Sequence, residues 1–267
     1  MKKLFLFIIL AGIISSCLST RKSSSMSFAK NPVVAHRGAF KKNSLPENSV
    51  ASLREAIRLG CTGSEFDVRM SADDSLIINH DPHFNKLEIE KATYKELTAF
   101  SLSNGEKLPT LQEYLLAGMQ SNKHTRLVLE IKPSGISKDR GRLIAARVLE
   151  LVKKLQASPW IVYISFDYDI LKELRRLDPV ANLQYLEGNI APAQLKADGI
   201  NGADYHFSVF KTKPHWIKEA KENGIALNAW TVNDSTTMNW LLKEGFDFIT
   251  TNEPEMLMQI DNVPMSR

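Results

Sequence analysis

Short apolar runs alternate with amphipathic helical segments along most of this 267-residue chain. A run of strand type opens each unit and a helical segment closes it, and the pattern repeats eight times between residues 32 and 260. Repeated alternation indicates parallel strands, because each helix carries the chain back to the start of the next strand. Eight such units favour closure into an α/β TIM (β/α)8 barrel over an open doubly wound sheet.

The predicted elements follow from the spacing of apolar residues in each segment. Residues 76–79 are counted as an extension of the second strand that returns beside it, and a short insertion follows the second β/α unit. The predicted strands cover residues 33–35, 64–70, 127–131, 161–166, 183–186, 205–209, 226–231 and 248–251. The predicted helices cover residues 50–59, 94–100, 111–117, 140–156, 170–177, 191–197, 215–222, 236–243 and 255–260.

The length and composition fit a single enzyme-sized domain. With 43% apolar residues the chain can bury a large core, and α/β barrels of this length commonly form one domain. We therefore assign residues 32–260 to one catalytic barrel and residues 261–267 to a C-terminal tail.

The N-terminus has the layout of a secretory signal. Lys2 and Lys3 precede an apolar run at residues 4–14, which is too short to be a good transmembrane span. A positively charged start followed by a short apolar run is typical of a cleaved signal peptide. We predict a signal peptide at residues 1–16.

The sequence Ile14-Ser15-Ser16-Cys17 resembles a bacterial lipobox. The resemblance implies that Cys17 is lipidated and becomes the mature N-terminus, with residues 17–31 as a lipidated, Ser-rich flexible tether. The protein would then be a membrane-anchored lipoprotein of the bacterial cell envelope, facing the periplasm or the exterior. Cys61 is left as a single cysteine and is predicted to be a buried structural thiol.

The charge of the chain does not indicate nucleic-acid binding. Without Lys2 and Lys3, 32 basic residues remain against 30 acidic ones, so the formal net charge falls from +4 to +2. The basic character is partly that of the signal peptide, and the sequence has no basic stripe.

Four consecutive strand ends carry side chains suited to metal-assisted chemistry. Glu65 and Asp67 close one strand, and because residues i and i+2 leave a strand by the same face, both carboxylates can address one hard cation. TIM-barrel enzymes hold their active sites at the carboxyl ends of the strands. The other polar pairs at predicted strand ends are His36-Arg37, His80-Asp81 and Glu130-x-Lys132.

These residues belong to nine short motifs whose order resembles that of the glycerophosphodiester phosphodiesterase family over residues 32–255. The motifs are His36-Arg37-Gly38, Pro46-Glu47-Asn48-Ser49, Glu65-Phe66-Asp67, His80-Asp81, Leu108-Pro109-Thr110-Leu111, Leu129-Glu130-Ile131-Lys132, Ser165-Phe166, Ala229-Trp230-Thr231-Val232-Asn233 and Thr250-Thr251-Asn252-Glu253-Pro254. Each motif alone is weak, but the ordered set is specific.

Three features depart from the family pattern. Residues 39–45 form a longer stretch than usual, and Asn252 stands where the family often has Asp. The segment between His80 and Glu130 is short, which predicts a small lid and a less enclosed site.

The resemblance implies a metal-dependent phosphoric diester hydrolase that splits glycerophosphodiesters into an alcohol and glycerol 3-phosphate. Glu65, Asp67 and Glu130 would bind one divalent cation, Ca²⁺ or Mg²⁺, since hard cations prefer oxygen ligands. His36 and His80 would serve as general acid and base. The predicted phosphate and substrate contacts are Arg37, Lys132 and Trp230, the last as an apolar wall for the glycerol.

Several alternatives stay open at this point. Glu47 has two interpretations, as a further metal ligand or as part of the cap of the helix that begins near Ser49. The nucleophile is either water or the neighbouring glycerol hydroxyl through a cyclic intermediate. Alternative functions are a related barrel phosphodiesterase for lysophospholipid or sphingolipid headgroups, or a non-catalytic surface lipoprotein. The oligomeric state is not predicted.

Overall fold

The computed structural model describes residues 27–262. The predicted signal peptide, Cys17, most of the predicted tether and residues 263–267 of the predicted tail lie outside the described residues. Among residues 27–262, no helix is both long and apolar enough to cross a membrane.

Eleven strands and ten α-helices are found in the described part of the chain. The strands are β1 (Val33–Ala35), β2 (Gly63–Met70), β3 (Leu76–Ile78), β4 (His83–Phe84), β5 (Leu87–Glu88), β6 (Arg126–Ile131), β7 (Ile161–Ser165), β8 (Leu183–Tyr185), β9 (Gly202–His206), β10 (Ala226–Trp230) and β11 (Phe248–Thr251). The α-helices are α1 (Val50–Leu59), α2 (Tyr94–Leu97), α3 (Leu111–Met119), α4 (Lys138–Lys154), α5 (Tyr168–Leu177), α6 (Pro192–Ala197), α7 (Phe207–Thr212), α8 (His215–Asn223), α9 (Ser235–Lys243) and α10 (Pro254–Ile260).

Eight parallel strands form a closed barrel, which confirms the predicted fold class. Their order around the barrel is β1, β2, β6, β7, β8, β9, β10 and β11, and β1 closes the ring by pairing with both β2 and β11. The returning extension is also confirmed, because β3 pairs antiparallel with β2. The helices cover the barrel from outside, as expected where each helix links two parallel strands.

The sequence pattern was misleading at the sixth barrel strand. Residues 205–209 were predicted as strand, but β9 ends at His206 and the chain turns at once into α7. The His206 side chain accepts a hydrogen bond from the Ser208 amide and so caps this short helix. Phe210, one helical turn further on, is buried beneath it. The apolar run therefore continues across a strand-to-helix turn.

Alternate strand residues pack on opposite faces of the barrel wall. On β2, Phe66 and Val68 contribute to the core between strands and helices, whereas Glu65 and Asp67 belong to the other face of the same strand. The barrel interior has its own small apolar cluster, formed by Val34, Val128, Val162, Ile164 and Leu186 with Phe166, Trp230 and Phe248 packed against it. This filling makes the barrel a packed core with chemistry only at its rim.

The described N-terminal residues cover the end of the barrel where the strands begin. The Ala29 amide donates to the His124 carbonyl at 2.8 Å, and the Ala29 carbonyl accepts from the Thr62 hydroxyl at 2.7 Å. Phe28 lies 4.2 Å from the Arg126 guanidinium in a cation–π contact. The chain therefore enters the described structure at the end of the barrel opposite the carboxyl ends of the strands.

The insertion after β3 has a small core of its own beside the barrel. Its residues pack as a separate apolar cluster around Ile77, Ile89, Leu97 and Leu108. Glu90 ties this unit to the segment after β6, since its carboxylate accepts from the Ser134 hydroxyl, the Gly135 amide and the Arg140 guanidinium. The insertion is thus fixed to the barrel wall.

Candidate active site

The predicted acidic residues meet at the carboxyl ends of two neighbouring strands. Asp67 on β2 and Glu130 on β6 are paired across the parallel ladder, and Glu65 lies two residues before Asp67 on the same face. Suitable oxygens of the three carboxylates lie within 4.8 Å of one another, and all three residues are buried. The arrangement is the one that the i, i+2 spacing predicts.

Lys132 lies between two of these carboxylates. Its Nζ is 2.8 Å from Glu130 Oε1 and 3.2 Å from Asp67 Oδ1. Glu65 has a different environment, because Oε2 accepts from the Arg37 amide at 2.8 Å while Oε1 has no hydrogen-bond partner among the described residues. A buried carboxylate oxygen without a partner is costly unless a cation or a proton joins it.

The three carboxyl groups differ in how readily they ionise. Burial and then the charge of Asp67 raise the pKa of Glu65 well above its usual range, and the same two causes raise that of Glu130 to about 7. Burial also opposes ionisation of Asp67, but the nearby Lys132 ammonium, followed by His80, holds its pKa at about 2. The group therefore carries less than its full negative charge near neutral pH.

These residues fit a hard divalent cation. The donor set is entirely carboxylate oxygen, which suits Ca²⁺ or Mg²⁺ and not a structural zinc. The partnerless Glu65 Oε1 and the mutual repulsion of the carboxylates are both relieved by a second positive charge beside Lys132. Within residues 27–262 no other group of three or more acidic, His or Cys side chains has this spacing.

The loop between β1 and α1 supports two of these carboxylates from a strained backbone. Arg37 and Asn48 both have positive φ, 54° and 57°, in a region that non-glycine residues seldom adopt. The Asn48 side-chain Nδ2 donates to Asp67 Oδ2 at 2.8 Å, and Asn48 Oδ1 accepts from the backbone N–H of Asp67 at 3.1 Å. Strain of this kind persists where the surroundings hold it and is common at functional sites.

His36 is a half-buried imidazole whose neutral form is favoured. Its Nδ1 lies 2.7 Å from Asn252 Oδ1, and because that oxygen is only an acceptor, Nδ1 carries the hydrogen. Nε2 is left as the unprotonated nitrogen and lies 3.9 Å from Glu65 Oε2. Burial and then the charge of Arg37 lower the pKa of His36 to about 4. Asn252 thus orients His36 in the place where the family pattern often has Asp.

His80 differs from His36 in its partner and exposure. It follows β3, and its Nδ1 lies 2.8 Å from Asp81 Oδ1. The carbonyl of His80 accepts two hydrogen bonds from the Arg69 guanidinium, at 2.9 and 2.7 Å, which fixes the backbone beneath the ring. The Asp81 carboxylate therefore orients the imidazole ring.

Both histidines, both cations and two of the three carboxylates line one cavity of about 110 Å³ at the carboxyl end of the barrel. One wall is charged, with Arg37 and Lys132, and another is apolar. Its lining residues are His36, Arg37, Glu65, His80, Glu130, Lys132, Ile164, Phe166, Leu186, Asp204, Trp230, Thr231 and Thr250. Among the described residues, the insertion after His80 contributes no lining side chain, consistent with the small lid predicted for this site.

Trp230 belongs to the apolar wall. Its Nε1 donates to the Asp204 carbonyl at 2.9 Å. Its ring meets Phe166 and His206 edge to face, with centroid distances of 5.4 and 5.3 Å. A hydrogen-bonded, edge-packed indole is a rigid apolar surface for a small ligand.

Glu47 pairs with Arg37 and not with the acidic group. Its Oε1 accepts from Arg37 Nη1 at 2.9 Å, and its side chain is 44% exposed. The cap of α1 is Ser49, whose hydroxyl accepts from the Ser52 amide. The structure therefore places Glu47 as a partner of the guanidinium, outside the three-carboxylate group.

Comparison with known proteins identifies the family. The glycerophosphoryl diester phosphodiesterase family matches residues 36–256, which include every catalytic, metal and substrate residue predicted above. The chain belongs to this family. The match confirms the family and the class of enzyme that the ordered motifs indicated.

Individual glycerophosphodiester phosphodiesterases resemble the chain over nearly their full length. A glycerophosphodiester phosphodiesterase of Caldanaerobacter subterraneus subsp. tengcongensis is 28% identical over 248 residues, 86% of this chain and 98% of the relative. A crystal structure of a glycerophosphodiester phosphodiesterase from Parabacteroides distasonis is 40% identical, with a TM-score of 0.83, covering 88% of this chain and 98% of the other.

A second solved structure supports the fold. An Oleispira antarctica phosphodiesterase, solved in complex with the product sn-glycerol-3-phosphate, is 24% identical with a TM-score of 0.74. The two chains are covered to 86% and 96% respectively. At this identity the likeness shows a shared barrel.

Sequence reasoning missed three polar residues of the site. Asn48 was named only as part of a motif and was given no role, yet it holds Asp67. Asn252 was noted only as a departure, yet it orients His36. Asp204, on the inner face of β9, was not singled out at all. Its alternation with the buried Ala203 and Tyr205 was the one available signal that it points into the barrel.

Proposed function

We propose that the protein catalyses metal-dependent hydrolysis of glycerophosphodiesters to an alcohol and glycerol 3-phosphate, with His36 and His80 transferring the protons. The observation that carries the proposal is the shared cavity. The cavity brings together two imidazoles, one held by an amide oxygen and one by a carboxylate. It also contains the side chains of Arg37 and Lys132 and the buried carboxylate group. Phosphodiester cleavage needs all three kinds of group, for proton transfer and for neutralising phosphate charge.

Glu65, Asp67 and Glu130 would hold one divalent cation, Ca²⁺ or Mg²⁺. A cation bound there supplies charge neutralisation at the phosphate oxygens and lowers the pKa of a coordinated hydroxyl. Arg37 and Lys132 then hold the non-bridging oxygens, Arg37 by its planar fork and Lys132 as a point charge. Both are already oriented by carboxylates, which limits the freedom lost when substrate binds.

The two histidines have different roles in this proposal. His36 is neutral, with Nε2 available as an acceptor, so it removes the proton from the oxygen nucleophile. His80, whose Nδ1 is held by the Asp81 carboxylate, donates a proton to the leaving alkoxide. The assignment holds whether the nucleophile is water or the neighbouring glycerol hydroxyl.

The apolar wall fits the glycerol carbons. Phe166 and Trp230 contact each other and line the cavity beside the charged residues. A cavity of about 110 Å³ suits a small moiety. The alcohol beyond the phosphate then lies toward the mouth, where little contact restricts it, and a range of headgroups is expected.

We also propose that the protein is a lipoprotein of the bacterial cell envelope, held to the membrane through a lipid on Cys17. The support is the lipobox-like sequence, and the position of Cys17 lies outside the described residues. The described chain begins at the end of the barrel opposite the cavity. An anchor upstream of that end would leave the mouth of the cavity open to water, which favours water-soluble diesters over lipids embedded in the bilayer.

Product analysis tests the reaction. Purified protein incubated with glycerophosphocholine should release choline and glycerol 3-phosphate, followed by ³¹P NMR and by an enzymatic glycerol 3-phosphate assay. EDTA should stop turnover, and added Ca²⁺ or Mg²⁺ should restore it. Cleavage of lysophosphatidylcholine in preference to glycerophosphocholine would favour the lipid-headgroup alternative. No turnover of either with any divalent cation would favour a binding protein.

A further inference from the structure

One polar group in the cavity has no part in the proposed reaction. Asp204, on β9, is 1% exposed and lines the cavity. Its Oδ1 has no hydrogen-bond partner among the described residues. A buried acceptor without a partner is uncommon in folded proteins, and each one calls for a ligand, a water or a function.

The strand order places Asp204 across the barrel from the acidic group. Starting from β2, which carries Glu65 and Asp67, β9 is the fourth strand in either direction around the eight-stranded ring. The cavity reaches from Glu65 to Asp204. On the side of β7 and β8 the wall between the two ends is apolar, formed by Ile164, Phe166 and Leu186. A ligand whose phosphate lies on the charged wall therefore extends over apolar surface toward Asp204.

The neighbours of Asp204 leave this oxygen free. Asn228, which is paired with Asp204 across β9 and β10, gives and receives hydrogen bonds with the Thr250 hydroxyl at 3.1 and 3.2 Å. Burial, followed by the charge of Glu130, raises the pKa of Asp204 to about 8. Trp230 binds the backbone carbonyl of Asp204 and not its carboxyl group.

We propose that Asp204 Oδ1 accepts a hydrogen bond from a hydroxyl group of the glycerol moiety and so selects glycerol over alcohols that lack it. The inference rests on the proposed function for the nature of the ligand. A site built to bind a hydroxyl rejects an analogue without one, because its own buried polar group stays unpaired. Among the described lining residues, Asp204 is the one acidic side chain outside the acidic group.

Product binding tests this inference independently of turnover. Calorimetry with Ca²⁺ present would compare glycerol 3-phosphate with n-propyl phosphate, which has the same carbon chain and no hydroxyl groups. The wild-type protein should prefer glycerol 3-phosphate by at least ~10-fold. In Asp204→Leu this ratio should fall to about 1, with the affinity for propyl phosphate changed less than about threefold.

Two further variants separate recognition from structure. Asp204→Asn keeps the shape and an acceptor oxygen, so it should retain most of the preference. Gln184→Leu makes the same kind of change at a buried residue that lines the opposite end of the barrel interior and not this cavity, and it should leave the ratio unchanged. Asp204→Ala repeats the measurement if the leucine variant does not fold.

Several outcomes would overturn the assignment. The first is that the wild-type protein binds the two ligands with equal affinity. The second is that the affinity ratio is unchanged in the leucine and alanine variants. The third is that these variants lose affinity for both ligands to the same extent. A buried water on Oδ1 would give the first two. Turnover of glycerophosphocholine is measured in parallel. Turnover without a ligand preference would overturn only the role of Asp204, whereas a preference without turnover would overturn only the proposed reaction.

Discussion

Glu65 depends on a bound cation more clearly than the other two carboxylates, because its Oε1 has neither a hydrogen bond nor the Lys132 ion pair that Asp67 Oδ1 and Glu130 Oε1 have. We expect Glu65→Gln and Glu130→Gln each to lower the affinity for Ca²⁺ by at least ~10-fold, since each removes a full negative charge from the donor set. The metal-free variants should be no less stable than the parent, because repulsion within the acidic group is reduced. Titration calorimetry and thermal denaturation measure the two effects.

Glu47→Gln is the matched control for these variants. Glu47 lies outside the acidic group and pairs with Arg37, so its amide variant should bind Ca²⁺ within about threefold of the parent. If Glu47→Gln weakened cation binding as much as Glu65→Gln, Glu47 would be a ligand and the three-residue assignment would be incomplete.

His36 and His80 should be distinguishable by their kinetics. Alanine at either position should lower kcat by at least ~10²-fold, the usual effect of losing a general acid or base, with cation affinity nearly unchanged. A p-nitrophenyl phosphodiester has a leaving group that needs no proton. It should therefore partly rescue His80→Ala and not His36→Ala. Equal rescue of both, or loss of the cation in either, would contradict the assigned roles.

The pH profile gives the same assignment from another direction. His36 must be neutral to act as a base, and burial lowers its pKa to about 4, so kcat/KM should fall as pH decreases through that region. His80 must be protonated to act as an acid, so the rate should fall on the alkaline side. His36→Ala should lose the acidic limb and His80→Ala the alkaline limb. Stopped assays over a pH series measure this.

The charged residues of the site were predictable from sequence, but the two asparagines that hold them in place were not. Glu65, Asp67 and Glu130 come together because the two-residue period of a strand and the pairing of β2 with β6 both follow from sequence. Asn48 and Asn252 act through side-chain amides whose partners lie 19 and 216 residues away. Such pairings depend on the closed barrel, and an amide has no spacing rule that would reveal its partner.

At the level of elements, strand-to-helix boundaries were the weak point of prediction. The eight barrel strands were all located, but the run at residues 205–209 was assigned to strand although α7 begins at Phe207. In this run Tyr205, Phe207 and Val209 alternate with two polar residues, which is the period of a half-buried strand. The short β4–β5 hairpin was not predicted, because two-residue strands leave too few positions for a period to show.

The loop between β1 and α1 should be intolerant of substitution at Gly38. Its φ is 79°, and a Cβ there would lie 2.4 Å from Ser52 Oγ and 2.6 Å from the Ser52 carbonyl carbon. Gly38→Ala should therefore lower the free energy of unfolding by at least ~2 kcal/mol, from the backbone conformation and the overlap together. It should also reduce cation affinity, because the same loop presents the Arg37 amide to Glu65.

Gly105→Ala separates the two causes. Gly105 has a similar φ of 87°, but nothing lies within 4 Å of its Cβ position. Its alanine variant should lose only the backbone contribution, about 1 kcal/mol, and keep its cation affinity. Denaturant titrations of both variants give the comparison. Equal destabilisation would mean that overlap with Ser52 contributes nothing.

The whole molecule has two functionally different ends. The cavity opens where the strands end, and the segment from Ser27 to Asn31 contacts the end where they begin, through His124 and Thr62. This polarity is a property of every parallel barrel in which the chain enters before the first strand. An attachment upstream of Ser27 would therefore leave the cavity unobstructed.

Membrane attachment through Cys17 is the last prediction, and it concerns the protein as a whole. If Cys17 is lipidated after signal cleavage, Cys17→Ser should move the protein from the membrane pellet to the soluble fraction, because a polar tether cannot hold a barrel to a bilayer. Cys61→Ser is the control, since that thiol is fully buried and inaccessible to lipidation, and it should stay in the pellet. Metabolic labelling with a fatty-acid analogue should mark the parent and Cys61→Ser but not Cys17→Ser. A Cys17→Ser variant that still pelleted would indicate an uncleaved N-terminal helix as the anchor.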